Sequence, residues 1–363
     1  MTNPLLQVPW EVCLLEPKQD RALARELKRE LGKVPRWSRY FWASPWFAKA
    51  AIRLEFTNGL LLKLDFDLAT LVALVVSREN SCRYCYATIR TVMRMLGLGE
   101  ARLQAVETEL AAGELDPRRA AAVNFARAVN RGHQIDGRGE RARLAAAGFA
   151  PDEIRELAYV AATMGFMNRV TTIAALPPTL WERASDSWLM QLSQPLLAPL
   201  VKRMLQRGTP VAAAATESPL SARLRACYKN SPIQSVLADS MRDMWASERL
   251  PQRSKLLMLA TIAQGIDCAV CAQEIARLAD AAALDVGEIN RAAAHLDDPT
   301  LDSSERQLCE FARESLWYEP QIIQRKARAL CEHLGEPRFV EALAIVALGN
   351  LLMRLAATMV DPP

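Results

Sequence analysis

The sequence predicts an all-α protein built from two tandem helical repeats. Three observations carry this reading: apolar residues recur at helical spacing, cap signals separate the segments, and no convincing alternation of period two marks a strand. A Cys-x-x-Cys pair stands before one helical stretch at Cys82 and Cys85, and a second stands in the same setting at Cys268 and Cys271. The two pairs lie 186 residues apart.

Taken in order, residues 1–43 form an N-terminal arm with one helix. Pro17 to Leu31 reads as amphipathic, with Leu23 and Leu27 four apart and Gly32 as its stop. Pro35 to Trp46 is rich in aromatics and reads as an arm packed on its own domain, since large aromatic side chains are mostly buried. The first repeat covers 44–176. Ser44-Pro45 supplies a cap followed by proline at the first helical position. Leu68 to Val76 is an apolar run, and Gly97 closes the helix that carries the cysteines. Asp116-Pro117 opens another helix. Ala150-Pro151-Asp152-Glu153 opens a third, running to about Leu176, with Ile154, Leu157, Ala158, Ala161 and Gly165 on one face.

Residues 177–230 read as a connector: Pro177-Pro178, a helix near Trp188 to Gln206, then a flexible stretch from Gly208 to Pro219. The second repeat covers 231–361, and its anchors are positional. Ser231-Pro232 answers Ser44-Pro45, and Phe311-Ala312-Arg313 answers Phe125-Ala126-Arg127 at an offset of 186. Glu341 and Arg354 answer Glu156 and Arg169 at 185. Several anchors held in one register point to duplication.

At 363 residues the chain has room for two ordinary domains. A net charge of +4, with both signs interspersed, argues against a nucleic-acid surface. The first residues show no secretory pattern, and uncharged runs such as Ala342 to Met353 are too short to span a bilayer. The expectation is a cytoplasmic protein with no membrane partner, whose eight cysteines sit in a reducing compartment.

Cysteines at i and i+3 where a helix begins face the same side, close enough to bridge. The helix N-terminus favours the thiolate, and Arg83 adds positive charge next to Cys82. That suits dithiol–disulfide exchange, one sulfur attacking and its neighbour resolving. Two other readings stay open. A four-cysteine zinc site needs both pairs to converge although Cys268 follows Cys85 by 183 positions, far beyond usual zinc spacing. Plain buried cysteines, retained for packing, are the other, above all for the second pair. No phosphate loop, hydrolytic triad or acidic metal cluster is visible, so no cofactor is expected.

Ser77 to Cys85, set between an apolar helix and a helix ending at Gly97, resembles the alkylhydroperoxidase D-like branch of the carboxymuconolactone decarboxylase family. Gly165-Phe166-Met167-Asn168-Arg169 is similar to that family's closing helix. The resemblance covers roughly 44–176 and, more weakly, 231–361. It implies a helical fold, assembly into homo-oligomers (a trimer or dimer of this chain), and reduction of a small-molecule peroxide or disulfide at the expense of an external dithiol or protein reductant. It also implies Cys85 and Cys271 as the attacking sulfurs and Cys82 and Cys268 as the resolving ones, with the second pair the weaker. The chain departs from the family where a histidine follows the second cysteine by four residues, here Ile89 and Ile275. It departs again where a glutamate precedes the first by about twelve, here Thr70 and Leu256. Tyr84 stands where some relatives carry a relay histidine.

Glu79 is a candidate substitute acid or base, or else a solvent-facing carboxylate. Arg169 and Arg354 read as salt-bridge or subunit-contact residues, and His133 as a surface residue. Alternatives from other classes are a helical scaffold that has lost its chemistry and a carboxymuconolactone-type decarboxylase.

Overall fold

The computed structural model describes residues 4–55, 61, 63–95, 115–177 and 220–361, and among these every regular element is a helix. Short 3-10 turns at Pro4–Gln7 and Arg36–Phe41 flank α1 (Arg21–Leu31). There follow α2 (Pro45–Glu55), α3 (Phe66–Glu79), α4 (Arg83–Met95), α5 (Pro117–Arg131), α6 (Gly137–Ala146) and α7 (Pro151–Ile173). The second stretch holds α8 (Ala222–Cys227), α9 (Pro232–Ala246), α10 (Gln252–Ile266), α11 (Ala269–Ala281) and α12 (Val286–Ala294). It closes with α13 (Ser303–Glu314), α14 (Pro320–Leu334) and α15 (Glu336–Met359). The stop expected at Gly97 and the connector between 178 and 219 lie outside the described residues.

Helix starts follow local chemistry. α1 begins at Arg21 rather than Pro17, because the Asp20 carboxylate accepts the backbone N–H groups of Ala22 and Leu23 at 2.8 and 3.0 Å. Gly32, at φ +73°, ends it as expected. α3 starts on Asp65, which caps Asp67 and Leu68, and α5 starts on Asp116 with Pro117 first. Ser44 precedes α2, and its hydroxyl donates to Glu341 at 3.3 Å, across to the far half of the chain.

One apolar core runs through both halves. At its centre α7 and α15 lie against each other more extensively than any other helix pair among the described residues. α7 is buried all round, not along one face: Tyr159, Val160, Ala162 and Phe166 are as enclosed as Leu157 and Ala161. α15 extends past the apolar run Ala342–Met353 and is long and apolar enough to cross a membrane, but its apolar window is entirely buried inside the chain. The aromatic arm packs inward. Phe41 stacks edge-on against Phe47 at 5.4 Å, Phe47 meets Phe166 at 6.2 Å, and Trp46 donates to Glu341 at 2.8 Å.

Two contacts join positions 186 apart. Arg53 on α2 pairs with Asp239 on α9 at 3.2 Å, and Trp317 donates to the carbonyl of Arg131 at 2.6 Å. Each half also lends a loop to the other. Gln134 donates its N–H to Ile266 O at 3.1 Å and its side-chain amide to Asp267 at 2.8 Å. His133, exposed as expected, reaches Gly265 O at 3.3 Å. In return, the loop at 315–318 docks on α7.

Arg169 and Arg354 hold this exchange together, and the salt bridges expected of them are not what they make. Both are fully buried and spend their guanidinium protons on main-chain carbonyls, Arg354 giving one besides to the Asn350 side chain. Arg169 donates to Ser315 O and Leu316 O, both at 2.8 Å. Arg354 donates to Asn130 O and Leu316 O, both at 3.1 Å. Gly132, at φ +73°, lets the chain pass over Arg354, since a Cβ there would stand 3.1 Å from Nε.

Candidate functional site

Both cysteine pairs sit on the same backbone device. α3 ends at Asn80, Ser81 turns the chain with φ +49°, and Cys82 follows as the residue before α4. α10 ends at Asp267 with φ +54°, and Cys268 follows as the residue before α11. Ser and Asp tolerate this left-handed conformation better than branched residues do. The first cysteine therefore caps its helix rather than lying within the first turn. Cys82 Sγ accepts the N–H of Cys85 at 3.3 Å, and Cys268 Sγ accepts the N–H of Cys271 at 3.3 Å.

The first pair adds a hydroxyl. Thr171 Oγ1 on α7 lies 3.2 Å from Cys82 Sγ and 3.3 Å from Cys85 Sγ. Thr171 also lies 2.9 Å from the carbonyl of Met167, and in its contacts with the two sulfurs either partner can be the donor. Cys82 is further fixed by its own N–H to Ser77 O at 2.9 Å. Behind it, Asn168 donates to Ser77 Oγ, and Asn80 bridges Asn168 and Asn130 at 2.9 Å each. At the second pair the position facing the sulfurs offers only main chain: Cys271 Sγ donates to Met353 O at 3.4 Å.

The two sulfurs of each pair are pushed apart in acidity. Burial opposes ionisation of Cys82, but the neighbouring Cys85, through its thiol and its N–H, and the Thr171 hydroxyl outweigh it and hold this thiol below its ordinary range. Burial and the neighbouring Cys82 push Cys85 well up. Cys268 is lowered to about 7, mainly by a hydrogen bond from Cys271. Cys271 is raised, first by that same bond to Cys268 and then by burial. The order is the reverse of the one the resemblance implies: the first cysteine is the thiolate, the second the thiol.

Exposure also runs against expectation. Cys82 is fully buried and Cys85 is 6% exposed, whereas Cys268 is partly open to solvent. The second pair, expected to be the weaker, is the one whose first cysteine is partly exposed.

The supporting residues are placed differently from their sequence roles. Glu79 pairs with Arg127 at 2.8 Å. Arg83 opens α4 with its Nε buried and unpartnered, and the main groups lowering Cys82 are Cys85, Thr171 and Thr172 rather than this cation. Tyr84 packs against the core, where burial and then Glu55 hold its phenol protonated. Thr70 donates to Phe66 O at 2.8 Å inside its helix, and Ile89, Ile275 and Leu256 are buried apolar residues.

Sequence reasoning missed Thr171, Thr172, Asn80 and Asn168. The available signal was polar side chains on an otherwise apolar stretch, Asn168 to Thr172 within α7. It missed Glu55 as well, a carboxyl that burial raises to about 7 and whose field is felt by Tyr84. Among the described residues no group of three or more His, Cys, Asp or Glu side chains is placed to hold a metal ion. No family model matches the chain, and no characterised protein or solved structure matches it either.

Proposed function

We propose that the chain is a thiol–disulfide oxidoreductase resembling the alkylhydroperoxidase D-like proteins, reducing a peroxide or small disulfide through its Cys-x-x-Cys pairs. One observation carries the reading. At each helix start, a sulfur that favours the thiolate is capped by the N–H of a second cysteine whose sulfur stays protonated, which is the division of labour dithiol exchange requires. Cys268 is the attacking sulfur at the open site and Cys271 resolves; Cys82 and Cys85 take these roles at the enclosed site.

With a disulfide, the Cys268 thiolate displaces one half as a thiolate and forms a mixed disulfide. The departing thiolate takes the Cys271 proton, Cys271 attacks the Cys268 sulfur, and the second half leaves. With a hydroperoxide, Cys268 takes the terminal oxygen, the alkoxide leaves as the alcohol, and the sulfenic acid condenses with Cys271 to release water. An external dithiol then reduces the Cys268–Cys271 bond and is itself oxidised. A reducing cytoplasm suits that supply. Without a positioned imidazole, turnover falls short of a base-assisted site by a factor on the order of 10²–10⁴.

The test is turnover of a small organic hydroperoxide and of an aromatic disulfide with dithiothreitol as reductant. Cys268→Ser abolishes most of the rate, and Cys271→Ser traps a mixed disulfide on Cys268. Equal rates in the parent and both variants overturn the reading. The rival, a helical scaffold without chemistry, draws on the complete burial of Cys82, and unchanged rates would favour it.

A further inference from the structure

Thr171 is fully buried on α7, and its one hydroxyl touches both sulfurs of the first pair, Cys82 at 3.2 Å and Cys85 at 3.3 Å. A buried hydroxyl costs free energy unless it is hydrogen-bonded, and a valine would fill nearly the same space without that cost. Two carbonyls of its own helix also lie within reach, Met167 O at 2.9 Å and Asn168 O at 3.4 Å. The hydroxyl proton therefore has a choice of acceptors: a carbonyl one turn back, or either sulfur.

We propose that Thr171 is a catalytic residue of the enclosed pair, a shared donor whose hydroxyl bonds to Cys82 and then to Cys85, each at the moment it carries the charge. The role rests on the thiol chemistry proposed above and adds a residue to one of its two sites. With both sulfurs protonated, the hydroxyl donates to Met167 O. When Cys82 ionises to attack, the hydroxyl turns to that sulfur, beside the Cys85 N–H that already caps it at 3.3 Å. Once Cys82 is bonded to substrate it is no longer charged. Cys85 then gives its proton to the departing group, and the hydroxyl turns to the new thiolate as it attacks the Cys82 sulfur. Thr171 gives hydrogen bonds throughout and loses no proton. In every state its proton has an acceptor, and only the thiolate states gain a charge-assisted bond, which is the condition for lowering an acidity constant. Burial is the largest influence on both sulfurs, and Thr171 opposes it at each. The titratable and charged groups around the pair are Arg83 and Tyr84 on α4 and Tyr318 from the 315–318 loop, with Glu55 of α2 acting on Tyr84. Arg169 on α7 is spent on carbonyls of that loop, and Glu79 at the end of α3 on Arg127. The second pair has no counterpart: Ala356 and Ala357 stand 185 and 186 positions beyond Thr171, and Cys271 Sγ meets Met353 O instead.

The experiment reads thiolate absorbance against pH in the intact reduced chain. Cys85→Ser leaves Cys82 to titrate alone, Cys82→Ser leaves Cys85, and each is taken as the difference from the chain with both replaced. Adding Thr171→Val raises both midpoints by about one pH unit, the order expected for losing a hydrogen bond to a charged group, and Thr171→Ser leaves both where they were. The Cys268 midpoint, read against Cys268→Ser, stays fixed in all of them. A shift at one sulfur alone, at neither, or equally at Cys268 overturns the shared donor, as does a Thr171→Ser chain that behaves like Thr171→Val. If Thr171→Val does not fold, Thr171→Ala is compared with Thr171→Ser in its place. Both midpoints rising in a chain that turns over neither peroxide nor disulfide would remove the proposed activity and leave the donor standing, whereas turnover with unmoved midpoints would do the reverse.

Discussion

At the residue scale, the sulfur of a cysteine does what a serine or aspartate oxygen does at ordinary helix starts. The cap bond and the neighbouring thiol favour the charged form of Cys268, and only the second cysteine can supply both. Cys271→Ala removes the largest lowering influence, so the Cys268 midpoint rises from about 7 toward the ordinary thiol range near 8.5. Alkylation of Cys268 followed against pH checks this. The sign for stability follows from linkage. A thiol more acidic when folded contributes stability that is fully present above its unfolded value and is lost as pH falls through about 7. In Cys271→Ala that pH dependence flattens.

At the element scale, the turn matters more than the helices it joins. Ser81 and Asp267 place a left-handed residue directly before the first cysteine, and this aims each sulfur back over its own helix. Ser81→Val forces a branched side chain into that conformation and costs about 1–2 kcal/mol in urea unfolding, whereas Ser81→Gly is neutral or slightly stabilising. The stop at Gly32 and the helix starts at Asp116 and Ser231 were legible in the sequence, because capping is local. The start of α1 was misread at Pro17 because proline and Asp20 both signal a helix start, and the carboxylate won.

At the scale of the molecule, the two halves are interleaved. Ionic, aromatic and carbonyl contacts cross between them at Arg53–Asp239, Trp317–Arg131 and the two buried arginines. Contacts between positions one repeat length apart are what a two-fold relation produces near its axis, and this supports the proposed duplication as a dimer fused into one chain. Asp239→Ala strands the nearly buried Arg53 and costs about 3 kcal/mol, more than Arg53→Ala, which leaves Asp239 its second partner Arg242. Denaturant unfolding of the two variants gives the comparison, and equal losses would mean that Arg53 is not a desolvated charge.

By itself the sequence determined the helical class, the starts of α2, α5, α7 and α9, the stop of α1 and the presence of a cysteine pair at two helix starts. All of these depend on neighbours within a few residues or on repetition. Only the tertiary structure decided which sulfur ionises and which pair solvent reaches. It also brought Thr171 to the first pair and paired Glu79 with Arg127. Access is set by burial, and the acidity of the first pair depends in part on Thr171, 89 positions from Cys82, a distance that no local pattern encodes.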